Sequence, residues 1–171
     1  PQYGGTLTYA LEAETTGFKP TVDRWSIVGV MMGLAVYDPL VATNADGEPA
    51  PYLAESFEPN ADYTTWTFTL REGVTFHDGT PLTAEAVAKV YDLRLVSPLT
   101  GAAIANVESV TATGPLTVEF EMKSPWVMFP AALTGQLAVL PSPDTLDSED
   151  GANNPVGTGP FELVEWVPDA R

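Results

Sequence analysis

The chain has no cysteine, one histidine and only seven basic residues among 171. Without cysteine there is no disulfide, no thiolate metal ligand and no cysteine nucleophile. A single histidine, His77, leaves no second imidazole to build a transition-metal shell, and between Phe76 and Asp78 it reads as a turn residue held by a hydrogen bond. Basic charge is scarce as well. Seven Lys and Arg face 23 Asp and Glu, a net charge of −16, which repels polyanions and argues against nucleic acid or an anionic membrane surface as a partner. Long apolar runs are missing too. The longest, Ile27 to Tyr37, has 11 residues including two glycines, short of the roughly 18 that a membrane-spanning helix needs. No basic and then apolar leader opens the sequence, so an exported protein is expected here in its processed form.

The patterns that carry enzyme and cofactor chemistry are absent. Asp144, Asp147, Glu149 and Asp150 form an acidic stretch, but they lack the alternating oxygen ligands and closing glutamate of a calcium loop, so they read as a solvated face. Gly157-Thr158-Gly159 is followed by Pro160 and by no Lys-Ser/Thr pair, which makes it a structural turn and not a phosphate cradle. There is no Gly-x-Ser-x-Gly elbow. No catalytic residue, metal site or cofactor is expected.

What the chain does contain is a 44% apolar content suited to a globular core and one dense run of structural signals. In Trp66 to Val87, Trp66, Phe68 and Leu70 alternate with threonines, as in a strand with one buried face. Val74 and Phe76 resume that alternation, Asp78-Gly79 supplies a turn, and Pro81 ends the ladder. Thr83 then caps a helix to about Val96 on which Val87, Val90 and Tyr91 share a side. Elsewhere, Thr6–Glu12 alternates like a strand, and Asp23 is placed to cap a helix over Arg24 to about Ala35 with Trp25, Val28, Met31, Met32 and Ala35 on one side. Asn44–Gly47 reads as a turn between extended pieces. Val107–Thr111 and Leu116–Met122 form an antiparallel pair. Pro125 opens a helix carrying Trp126, Phe129, Ala132 and Leu133, and Leu137–Leu140 and Phe161–Trp166 read as strands. Hairpins and helices without regular βαβ alternation indicate an α+β fold.

Two segments carry a family resemblance. Leu70-Arg71-x-Gly73-Val74-x-Phe76-His77-Asp78-Gly79-x-Pro81-x-Thr83-Ala84 resembles the signature of the large extracytoplasmic solute-binding proteins of ABC importers, the peptide/nickel-binding family. Asn154-Pro155-Val156-Gly157-Thr158-Gly159-Pro160-Phe161 resembles its second signature, in the right order. Gly4–Ala10 is similar to the first strand of the mature protein. The chain departs from the pattern at Glu85, where Asp is commoner, and at Asp92, near a usual Ser.

The resemblance implies the N-terminal part of a periplasmic-binding-protein-like fold, class II with an extra inserted subdomain. Residues 1–35 would begin the ligand-binding lobe, 36–153 would form the inserted α+β subdomain, and 154–171 would return to the lobe, with the C-terminal lobe outside the sequence. It implies a solute receptor outside the cytoplasmic membrane, in the periplasm or as a surface lipoprotein. Such a receptor passes oligopeptides or a similar solute to ABC permease subunits. Nickel chelates and sugars are open as ligands, and an extracellular scaffold module is the alternative class. Glu14, Thr15, Thr16, Gly17 and Phe18 are implied at the cleft edge, with Tyr91 and Arg94 as further candidate contacts.

Overall fold

The structure, a computed structural model of the chain, describes residues 4–168. In chain order these form α1 (Ile27–Val36), β1 (Val41–Thr43), β2 (Pro49–Pro51), β3 (Ala54–Pro59), β4 (Thr65–Leu70), α2 (Ala84–Val96), β5 (Val107–Gly114), β6 (Thr117–Met122), α3 (Phe129–Ala132) and α4 (Pro143–Asp147). Short 3₁₀ turns at Gly101–Ile104 and Gly135–Leu137 join them.

The alternation in β4 decides the centre of the fold. Trp66, Phe68 and Leu70 are buried while their threonine neighbours face outward, so every second side chain leaves water. β4 lies inside an antiparallel sheet of order β3-β4-β6-β5, with Trp66 opposite Phe120 and Phe68 opposite Val118. Those inward residues continue the same apolar face, at about 1.5 to 3 kcal/mol for each large side chain removed from water. α2 closes that face. Its Val87, Val90 and Tyr91 are buried, and the Tyr91 ring meets Phe120 edge-on at 4.9 Å. The Thr83 hydroxyl accepts from the Ala86 N–H at 3.2 Å, a cap worth about 1 kcal/mol, and Ser97-Pro98 ends the helix because a residue before proline avoids the helical region.

Between β4 and α2 the Val74–Leu82 segment folds back on itself through one bridge, Thr75 to Pro81. Leu82 N–H donates to Val74 O and Phe76 N–H to Thr80 O, so the expected hairpin is present without full strands. Asp78 Oδ1 accepts from both the Thr80 N–H and its hydroxyl, and Gly79 has φ +83°. A Cβ on Gly79 would meet no atom within 4 Å, so substitution there is penalised by backbone conformation alone. Gly79→Val is therefore expected to lower stability by about 1 to 3 kcal/mol, and Asp78→Ala by about 1 kcal/mol through its two lost turn bonds. Urea unfolding checks both; a Gly79→Val midpoint equal to wild type would show that this φ is not required.

A second apolar cluster lies apart from the sheet: buried Phe18, Val36, Tyr37 and Val139, with Trp25, Met32, Leu163 and Trp166 against them. α1 enters it through glycines. The Trp25 ring lies so close to Gly33 that a Cβ there would sit 2.4 Å from Cζ3, and a Cβ on Gly29 would be tight against the Trp25 Cβ at 3.0 Å. This is why α1 buries Val28, Gly29, Gly33 and Val36, whereas Met31, which the spacing sets on the side of Val28, is exposed together with Ile27 and Leu34. α1 begins at Ile27 after Ser26, and no side chain caps it. Asp23, expected as that cap, instead accepts the Lys19 N–H at 2.7 Å.

Other expectations also change. Residues 6–12 and 161–166 are not strands, for neither finds a ladder partner among the described residues, and a strand without one leaves its backbone groups unpaired. The helix expected after Pro125 shrinks to the single turn of α3, which still buries Phe129. Residues 137–140 are likewise not a strand; one bridge, Val139 to Pro39, is all that forms.

Candidate functional site

The Glu14–Phe18 loop is held from within. The Thr15 hydroxyl donates to Gly17 O at 2.7 Å, and Trp25 Nε1–H donates to the same oxygen at 2.9 Å. The Tyr37 hydroxyl donates to Phe18 O at 2.9 Å, and Phe18 N–H donates to Ala152 O at the same distance. Burial, reinforced by the nearby Asp23 charge, pushes the Tyr37 phenol well above its ordinary pKa, so it stays a donor. The Thr16 hydroxyl accepts from Arg24 N–H at 3.1 Å. Thr15, Gly17 and Phe18 are therefore buried supports, and Glu14 and Thr16 are the members of this loop that reach solvent.

Tyr91 and Arg94 are not brought to this loop's surface. Both are fully buried on the inner face of α2, where the guanidinium lies 4.8 Å from the Tyr91 ring centre. Arg94 donates to Leu137 O at 2.9 Å, to Gln136 O at 3.2 Å and to Val139 O, and Tyr91 OH donates to Leu137 O at 3.0 Å. Desolvation lowers the Arg94 pKa and raises that of Tyr91, while their proximity opposes both shifts. With their polar groups spent on backbone carbonyls, they are structural and not exposed contacts.

Sequence reading missed a cavity of about 420 Å³ beside α1, within the range of small-molecule sites. Its walls include Leu34, Pro39, Val41 and Leu133, and its polar groups include Asp38, Tyr52 and Thr134. Asp38 Oδ2 accepts the Thr158 hydroxyl at 3.0 Å, and the Asp38 charge, partial burial and a hydrogen bond to Asp38 raise the Tyr52 pKa. Asp38, Tyr52 and Thr134 fall in no shared motif, so the sequence carries no signal for this cavity.

His77 joins the two signature segments. Its Nδ1 accepts from Gly157 N–H at 3.4 Å, which leaves Nε2–H to donate to Gly159 O at 2.8 Å, while its own N–H donates to Gly157 O at 2.8 Å. The second signature in turn reaches α1: Gly159 N–H donates to Val36 O and Phe161 N–H to Ala35 O, filling carbonyls that a helix end leaves open.

Residues 48–171 match the model of the bacterial extracellular solute-binding proteins, family 5, middle region. The chain belongs to this family. Among family 5 relatives, the nickel-binding periplasmic protein of Escherichia coli K12 is 34% identical over 142 residues, 76% of this chain and 26% of that protein. The chain thus spans about a quarter of the length of that relative. The crystal structure of a nickel ABC transporter protein from Bacillus halodurans superimposes with TM-score 0.76 at 31% identity, over 91% of this chain and 31% of that one. The oligopeptide-binding protein AppA of Bacillus subtilis, solved with a nonapeptide, gives TM-score 0.76 at 25% identity, over 90% of this chain and 32% of its own. Both signatures joined by His77 lie within the residues that the family model matches.

Proposed function

We propose that this chain is part of the solute receptor of an ABC importer, working outside the cytoplasmic membrane and delivering an oligopeptide or similar solute to the permease. The observation that carries the reading is the likeness, over nine-tenths of the chain, to a family 5 protein holding a nonapeptide. Within this reading residues 1–35 and 154–171 belong to the ligand-binding lobe and 36–153 to the inserted subdomain; the apolar cluster around Phe18 joins Trp25 and Met32 to Leu163 and Trp166, and it also takes in Val36, Tyr37 and Val139 at the border of the inserted part. Glu14 and Thr16 present the solvent-facing atoms of the loop, supported by Thr15, Gly17 and Phe18, and the cavity at Asp38, Tyr52 and Thr134 is a separate candidate contact surface. The protein recognises its ligand and does not convert it. A lipid anchor belongs to the same proposal.

The ligand class is taken from the resemblance, with an oligopeptide first and a nickel chelate or sugar as alternatives. Native mass spectrometry of the protein purified from its own cells tests the function. The expected result is a bound small solute, peptidic in fragmentation. Repeated preparations carrying no solute, but retaining a macromolecular partner, would replace the receptor by the scaffold reading.

A further inference from the structure

The turn Lys19–Asp23 continues directly from the Glu14–Phe18 loop and belongs to no strand or helix. Its inner bonds are local: Lys19 N–H donates to Asp23 Oδ2, and the N–H groups of Val22 and Asp23 donate to Lys19 O. Its orientation is fixed from outside. Gln136 Nε2 donates to Pro20 O and to Asp23 O, both at 2.7 Å, and the Ser97 hydroxyl donates to Thr21 O at 2.5 Å. Because both partners of Gln136 are carbonyl oxygens, the NH₂ end of its amide must face them, and each of its two hydrogens has an acceptor. The backbone that carries Gln136 is itself gripped, since Arg94 takes the carbonyl oxygens of Gln136, Leu137 and Val139.

We propose that Gln136 is a positioning residue for the candidate binding loop: its amide bridges two carbonyls of the Lys19–Asp23 turn and so sets where Glu14–Phe18 stands. The chain of support runs from the buried guanidinium of α2, through residues 136–139, to the turn and then to the loop. Trp25 adds to it, donating from Nε1 to Gly17 O just beyond the turn. A single side chain suits this task because its two hydrogens diverge in one plane and fix two points three residues apart. As a contribution to ligand capture this rests on the receptor reading above, but the positioning itself can be measured without any ligand.

Amide hydrogen exchange of the chain, read by mass spectrometry, tests it. In Gln136→Glu a carboxylate oxygen replaces the NH₂ and faces two carbonyl oxygens. Amides of residues 17–25 are then expected to exchange roughly ten-fold faster or more, while peptides from β4 and β6 keep wild-type rates. Gln136→Met, uncharged and of similar length, should show a smaller acceleration confined to the same peptides, and it decides the question alone if the glutamate variant does not fold. Wild-type exchange at 17–25 in the folded variants, or equal acceleration in β4 and β6, overturns the proposal. Neither result depends on whether a solute is found.

Discussion

Replacing Arg94 by alanine is expected to cost about 3 to 5 kcal/mol, a large part of a small domain's stability. The guanidinium is fully buried and no carboxylate is among its hydrogen-bond partners; carbonyl oxygens of Gln136, Leu137 and Val139 take its protons, and Nε has no partner. A buried cation so arranged is costly to desolvate, which is also why its pKa is lowered. The carbonyls nevertheless depend on it. Alanine would strand the oxygens of Gln136 and Val139, leave Tyr91 as the remaining donor to Leu137, and open a cavity beneath the 3₁₀ turn. Methionine keeps most of the stem volume and removes the cost of burying charge, so Arg94→Met should lose less than alanine. Lysine keeps the charge, but as a compact donor it cannot span three carbonyls in a plane, and should fall between wild type and alanine. Urea denaturation orders the set. An alanine variant within 1 kcal/mol of wild type would mean that the 136–139 segment is held by its other contacts.

The same residue shows where sequence reading works and where it stops. Val87, Val90, Tyr91 and Arg94 fall on one face of α2 by spacing alone, and the structure buries all four. The first three were read as apolar. Tyr91 and Arg94, one helical turn apart, also suggest ligand contacts, but both are buried, and the partners of Arg94 lie some forty residues away in a segment whose sequence suggests a strand and not a row of carbonyls turned to a guanidinium. In β4 and the hairpin after it, by contrast, period-2 alternation depends on local geometry and one buried face, and Trp66 and Phe68 of β4 and Phe76 of the hairpin are all buried as expected. Residues 6–12 have the same alternation but no partner among the described residues, and Leu7 and Tyr9 stand exposed. Alternation states which face would be buried, not that a neighbour exists. The loop of the candidate site was located by resemblance, yet which of its atoms are spent internally depended on Trp25, Tyr37 and Ala152, beyond any local signal.

Gly157→Ala, a single methyl group, is expected to cost at least about 3 kcal/mol, more than Gly79→Val despite the smaller side chain. The two glycines are required for opposite reasons. Gly79 has open space and a left-handed φ, whereas Gly157 has no positive φ and no space. A Cβ on Gly157 would sit 2.1 Å from Val36 O and 2.5 Å from Tyr37 Cδ1, so the last turn of α1 or the second signature must move. Neither can move freely. Val36 O is already taken by Gly159 N–H, Ala35 O by Phe161 N–H, and the His77 ring and backbone hold Gly157 and Gly159 from the other side. Relief of the collision therefore breaks several of these bonds together, each worth about 0.5 to 1.5 kcal/mol, and parts the two signatures. Gly114→Ala serves as the control, because its Cβ would meet only the Thr117 side chain, Oγ1 at 3.4 Å and Cβ at 3.6 Å, both ordinary contacts, without a positive φ. Thermal melts followed by circular dichroism should show a large fall for Gly157→Ala and little change for Gly114→Ala. Equal melting of the two variants would mean that the second signature is not wedged against α1, and the junction described for His77 would lose its physical basis.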